Sequence, residues 1–242
     1  MADQGSPEPN EEPVFWGYKD LAIFLSLFLP ALMIGFLVTG AALKLSPAAT
    51  PRAMQALPPQ FIAYGLWFFG LSVVLKPYGR SFAEAIGWVK PARPLWTYTG
   101  YGIVLVASVM GLLAVTPPPQ AETPMKQLFD GPVSTILLGI FAVTLGPVCE
   151  EWAFRGFVQP LFCKTFGVAA GIVLTSLPFA LMHGQEYAWS WNYILGLVIA
   201  SAGFGYVRHI SGSTKASTVT HGTYNLVFFV LYLLQNRYLL NG

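Results

Sequence analysis

Charge is what this sequence has least of. Of its 242 residues 10% are Asp, Glu, Lys or Arg and 55% are hydrophobic, and the mean hydropathy is +0.57. Soluble domains carry about 25% charged residues, so this is the composition of a membrane protein. The net charge is only +2, and no basic patch points to a nucleic-acid partner. Cysteine is almost missing. Cys149 and Cys163 form neither a disulfide framework nor a CxxC metal spacing. Both read as small buried hydrophobes, with a Cys/His nucleophile at Cys149 as the weaker alternative. Period-2 alternation is absent as well, which excludes a membrane barrel and leaves helices as the only spanning structure. There is no internal repeat, no low-complexity tract and no HExxH.

What is present is a series of charge-free runs, at 21–43, 53–75, 94–121, 131–149, 165–185, 187–207 and 216–236. Each can contain the roughly 20 residues that cross a hydrocarbon layer of about 30 Å. They predict an all-α, polytopic membrane helical bundle of about seven transmembrane helices. The organisation that follows is a polar, acidic tail at 1–14 expected to be disordered, N-terminal transmembrane helices over 15–130, and a C-terminal core over 131–242. The tail lacks a basic n-region, so the first span is expected to stay in the protein. The connections 45–59 and 116–132 are Pro-rich, and 76–93 carries Lys76, Arg80, Lys90 and Arg93 with an interfacial piece at 81–88.

Basic residues set the expected orientation. Lys19, Lys76, Arg80, Lys90, Arg93, Lys164, Arg208 and Lys215 fall on the side of the N-terminus, against Lys44, Arg52, Lys126 and Arg237 on the other. Eight against four predicts a cytoplasmic N-terminus, in a plasma (inner) membrane.

The few charges inside the apolar sequence concentrate at 146–156, Gly-Pro-Val-Cys-Glu-Glu-Trp-Ala-Phe-Arg-Gly. A charge in hydrocarbon costs about 2.5–3.5 kcal/mol on insertion scales, so Glu150, Glu151 and Arg155 together require a function or a tight pairing. Glu151 and Arg155 are i, i+4 on a helix, acid before base, and are expected to pair. Glu150 is rotated by roughly 100° and is left over. Later spans add His183, His221 and Asn225, the last two i, i+4 on one helix face. His209 reads as interfacial and Glu186 as a solvated span end. Sixteen residues separate Glu150 from Phe166, and sixteen separate Gly167 from His183. A hairpin at Phe166-Gly167 therefore brings Glu150 and His183 to one depth, roughly 24 Å from the turn at 1.5 Å per residue. His221 follows the turn at 211–215 by only six residues, so a simple zigzag places it nearer the opposite face.

Glu150-Glu151-x-x-x-Arg155, then Phe179-x-x-x-His183, then His221-x-x-x-Asn225, in this order, resembles the CPBP intramembrane proteases. This is the CAAX protease and bacteriocin-processing (Abi) family, to which the type II CAAX prenyl endopeptidases are related. The likeness covers about residues 130–235 and makes 131–242 a CPBP-like catalytic core. It implies hydrolysis of a peptide bond in a membrane-associated peptide or protein, CAAX-type tails among the possibilities. Glu150 would be the general base, His183 would hold the water, and His221 with Asn225 would polarise the carbonyl. Glu151 and Arg155 would be structural support. Glu150, His183 and His221 would also be the ligands if a divalent metal such as zinc is used. The implied partners are the lipid bilayer and that substrate. The other readings are a non-catalytic membrane scaffold or immunity protein and, weaker for want of paired halves, a transporter.

Overall fold

A computed structural model describes residues 14–45, 50–117 and 123–236. The expected disordered tail lies outside these residues except for Val14, as does Arg237. Every regular element among the described residues is helical: α1 Tyr18–Lys44, α2 Arg52–Leu75 continued by a 3-10 turn Lys76–Tyr78, α3 Phe82–Ala85, α4 Leu95–Val115, a 3-10 turn Pro124–Leu128, α5 Pro132–Val143, α6 Leu145–Glu151, a π-helical segment Trp152–Val158, α7 Gln159–Phe166, α8 Val168–Met182, α9 Trp191–Ser211 and α10 Thr214–Gln235. From α5 to α7 the chain is one bent rod, Pro132–Phe166. Seven long passes result, and the reading of about seven membrane helices stands.

Five of the passes are long and apolar enough to cross a membrane: Tyr18–Lys44, Arg52–Tyr78, Leu95–Val115, Pro132–Phe166 and Trp191–Ser211. α8 is apolar but has only 15 residues. α10 is diluted by Ser217, Thr218, Thr220, His221 and Asn225, polar groups the bundle has to satisfy.

Four apolar clusters hold the described passes together, and all of them cross the boundary at 130/131; the two largest show how. In the first, Phe24 stacks on Trp67 at 4.3 Å and meets Phe157 at 4.9 Å, with Phe154 and Phe179 in the same cluster. In the second, Val106 and Val109 of α4 pack with Ala200, Phe204 and Tyr224. The N-terminal helices therefore form one side of the C-terminal core's packing. Gly102 permits a close approach of α4 to the α10 backbone: a Cβ there would lie 2.7 Å from the Thr220 carbonyl oxygen and 2.8 Å from Thr223 Cβ. Gly102→Val is therefore expected to push α4 off α10 and cost about 1–3 kcal/mol of stability. Gly100→Val, at an exposed position with nothing within 4 Å of its Cβ, is the matched control, and thermal unfolding in detergent compares the two.

The side of the bundle where α1 begins is closed by long-range ties. Trp16 Nε1 donates to the Phe157 carbonyl (3.1 Å), Tyr18 Oη to Thr165 (2.8 Å) and Lys164 Nζ to the Val14 carbonyl (2.9 Å). The segment around α3, capped reciprocally by Ser81 and Glu84, folds inward until Ile86 is fully buried. There it receives the turn between α9 and α10. Thr214 donates through its backbone N–H to Gly87 O (2.9 Å) and through Oγ1 to Ile86 O (2.5 Å), and Ser213 Oγ donates to Val89 O (2.6 Å). Ser213 and Thr214 have no solvent exposure, so α10 starts inside the bundle rather than at its surface.

At the opposite side Arg52 donates to the Gln127 carbonyl (2.7 Å) and to Asp130, whose carboxyl is held below the usual range by the Ser134 hydroxyl beside it. Met125 N–H bonds Glu186 O (3.2 Å), and Asn192 Nδ2 bonds Pro117 O (3.0 Å).

Candidate functional site

Proline shapes the rod that carries the acidic pair. Pro147 has no N–H and its ring conflicts with the carbonyl four residues back, so the helix breaks at Thr144 (φ −118°, ψ −83°). Pro160 conflicts in the same way with Gly156, inside the widened turn Trp152–Val158. Such π-helical turns are rare and concentrate at functional sites.

The two glutamates diverge from there. Glu151 and Arg155 are completely buried and pair as expected, Oε1 to Nη1 at 3.0 Å. Nη2 of Arg155 donates to the Ser201 carbonyl (2.7 Å) and hydroxyl (2.5 Å) of α9. The guanidinium lies 4.7 Å from the Phe179 ring centroid and 5.4 Å from that of Phe204. Glu151 Oε1 has a second partner that the sequence did not suggest, His221 Nδ1 at 3.1 Å. The His221 ring stacks on Phe204 at 4.3 Å and 18°.

Glu150 faces α8 and α10. Its Oε1 lies 3.9 Å from His183 Nε2 and its Oε2 lies 3.7 Å from His221 Nε2. Glu150 and His183 each keep 21% of their side-chain surface exposed, and His221 keeps 4%. The equal helix arms about Gly167 meet as expected. The zigzag count for His221 fails because the turn after α9, with Ser213 and Thr214 fully buried, starts α10 deep in the bundle.

Hydrogen-bond chemistry fixes the ring nitrogens. α8 ends at Met182, leaving the Phe179 carbonyl free to take a bond from His183 Nδ1 (2.8 Å). A carbonyl only accepts, so His183 Nδ1 carries the hydrogen. Glu151, ionised beside Arg155, makes the same demand of His221 Nδ1. Each ring then has one nitrogen to spare, Nε2, and both face the carboxylate of Glu150. Bare acceptors at such distances repel unless a shared proton, a water hydrogen or a cation lies among them.

Asn225 stands one turn beyond His221, and its Nδ2 donates to the Ala142 carbonyl (2.7 Å) at the helix break. The structure thus gathers Glu150, His183 and His221 directly, while Asn225 is anchored to α5 with one amide hydrogen left. His209 lies in the last turn of α9, half-buried. Cys149 is a buried free thiol, as the composition suggested.

Glu186 is a correction. It is half-buried, not a solvated span end, because the chain after α8 folds back on itself. Glu186 N–H bonds the His183 carbonyl (3.1 Å), and Trp189 N–H bonds Gly184 O (2.8 Å). Ala188 and Trp189 accept positive φ of 50° and 54° to make this turn, a strain typical of functional loops. The carboxylate is brought within electrostatic reach of His183 and Glu150. Tyr64 of α2 lies in the field of Glu150 too, with no signal in its apolar run to single it out.

Two Nε2 atoms and a carboxylate suit zinc chemically, and ligands about 2.0–2.2 Å from a tetrahedral ion sit about 3.3 Å apart. The measured gaps are 3.9 and 3.7 Å, and among the described residues no group of three or more His, Cys, Asp or Glu is already drawn together for ligation.

Residues 132–227, the segment containing all of these groups except Tyr64, match the family described as type II CAAX prenyl endopeptidase Rce1-like. No curated protein and no solved structure matches the chain.

Proposed function

From the membership of residues 132–227 in the CAAX protease family, we propose that this chain is an intramembrane endopeptidase with Glu150 as its general base. The observation that supports it most is the convergence of two Nε2 atoms on one carboxylate, at 3.9 and 3.7 Å. In this reading a water lies between Glu150 and His183, whose bare Nε2 accepts one of its hydrogens. Glu150 removes the other as the water oxygen attacks the scissile carbonyl carbon. His221, its Nδ1 hydrogen held by the Glu151 carboxylate, carries on Nε2 the extra proton it shares with Glu150 and presents it to the developing oxyanion, and the second amide hydrogen of Asn225 is the other donor. Glu150 returns its proton to the departing nitrogen as the C–N bond breaks, leaving an acid and an amine. A divalent ion held by Glu150, His183 and His221 would, when bound, supply Lewis-acid polarisation of that carbonyl.

The test is cleavage of membrane-associated peptides by the reconstituted protein, with Glu150→Ala alongside. New termini that appear with the parent protein and not with the variant are expected. Equal product from both, or none from either, would sink the peptidase reading and leave a scaffold or a transporter. Chelation followed by zinc return separates the two forms of the site, since only a metal-dependent one loses and regains turnover.

A further inference from the structure

Resting on the peptidase reading, we propose that Trp189 is a positioning residue. Seated on Gly184, it keeps the turn after α8 closed and so holds His183 in the orientation that serves the water beside Glu150.

His183 is only half held by its own helix. It caps α8 with φ −88° and ψ −1°, and its N–H reaches back three residues to the Ala180 carbonyl (3.2 Å). Its Nδ1 is tied to the Phe179 carbonyl, which sets the tautomer and does not fix the chain beyond Cα. That chain is fixed from the far side, by Glu186 N–H on the His183 carbonyl (3.1 Å). Glu150 Oε1 and His183 Nε2 are 3.9 Å apart, so a small shift of the ring changes the water that both must hold. Toward the α3 segment the site is sealed by Phe157, Ile86 and Thr214, all fully buried. The turn at 183–189 borders it on the side of His183.

This turn has to be held shut. Ala188 and Trp189 both lie in the left-handed region (φ 50° and 54°), which is unfavourable for any side chain and most of all for a bulky one. Three hydrogen bonds within the turn oppose that strain: Ala188 N–H to Gln185 O (3.2 Å), Trp189 N–H to Gly184 O (2.8 Å) and Ser190 N–H to Tyr187 O (3.0 Å). Two further contacts complete the closure. Met125 N–H holds the Glu186 carbonyl (3.2 Å), and the Trp189 indole lies directly on Gly184. A Cβ at 184 would stand 2.5 Å from two atoms of the six-membered ring. Gly184 is buried while the ring over it is exposed, and its φ is not in the left-handed region. Glycine is therefore required at 184 by the ring and not by the path of the chain. The residue next to His183 is kept bare so that an indole five positions later can sit on it.

Peptide turnover and amide hydrogen exchange over 184–190, both on the full chain, test this together. Gly184→Ala places a methyl group where the indole sits. The exposed ring can swing aside, so the protein keeps its fold and loses the seat. Gly184→Ala and Trp189→Ala are each expected to speed exchange in the turn, with α8 and α9 as protected as in the parent. Each is expected to lower kcat about 10- to 100-fold with KM little changed, as loss of orientation does. Both remove one contact, so Gly184→Ala combined with Trp189→Ala is expected to lose no more than the worse single variant. Trp189→Phe keeps a ring over Gly184 and is expected to recover most of what Trp189→Ala loses. Parental turnover in either Ala variant, losses that multiply in the combined one, or a Phe variant as poor as Ala would overturn the proposal. Unchanged exchange in both single variants would overturn it too, whether or not the protein cleaves peptides. If exchange speeds up as expected and the parent yields no product, the peptidase reading fails and takes the effect on His183 chemistry with it, while the seat of Trp189 on Gly184 stands.

Discussion

Glu150→Gln is expected to reduce turnover by about 10²–10⁴-fold, the usual contribution of a positioned general base, with little change in thermal stability. The amide keeps the shape of the side chain but cannot take the proton of a water. Glu150 is also the one acid of the pair that reaches solvent, at 21% side-chain exposure, so neutralising it strands no buried charge. Turnover assays and unfolding curves on the same detergent preparation check both halves. A variant that retains a tenth or more of its activity would remove Glu150 from the mechanism.

The second large effect is at Glu151. Glu151→Gln leaves Arg155 charged with no surface exposure, and breaking such a buried pair costs about 3–5 kcal/mol. The i, i+4 spacing alone gives Glu151 a structural role. The bond to His221 Nδ1 adds a chemical role, because the same carboxylate sets the tautomer of a ring 3.7 Å from Glu150. Glu151→Gln is therefore expected to unfold at lower temperature and, at temperatures where it is folded, to turn over more slowly. The double variant Glu151→Leu with Arg155→Met separates the two roles. Removing both charges should recover much of the lost stability, as apolar replacement of buried ion pairs often does, without recovering turnover. Full recovery of turnover in the double variant would show that His221 does not depend on Glu151.

Several parts of the site could be read before any fold was known, for one kind of reason. Glu151 and Arg155 announced each other because i, i+4 neighbours on a helix can neutralise a cost that neither could bear alone in lipid. Glu150 and His183 could be placed at one depth because a glycine turn joins two straight arms of equal length. His221 could not be placed. Its depth depends on Thr214 and Ser213 finding carbonyl partners at 86, 87 and 89, more than 120 residues away in the chain. Asn225 carried no hint of its bond to Ala142, since that carbonyl is available only because Pro147 breaks the rod. Glu186 looked solvated because a charge after an apolar run usually is, and only the strained turn at Ala188 and Trp189 folds it back toward the site.

By itself the sequence determined that the chain is a helical membrane bundle, where its passes lie and which charges must be accounted for. Hydrocarbon punishes an unpaired charge or an unsatisfied peptide group by several kcal/mol wherever it occurs, so that constraint is local and shows in the order of residues. Tertiary structure alone decided which ring nitrogens face Glu150, that Glu151 serves two partners, and that one end of the site is sealed. Those outcomes depend on how deep each helix starts and which way it is turned. Depth and rotation are set by hydrogen bonds and ring contacts between distant segments, a buried turn docked on a folded-in loop above all.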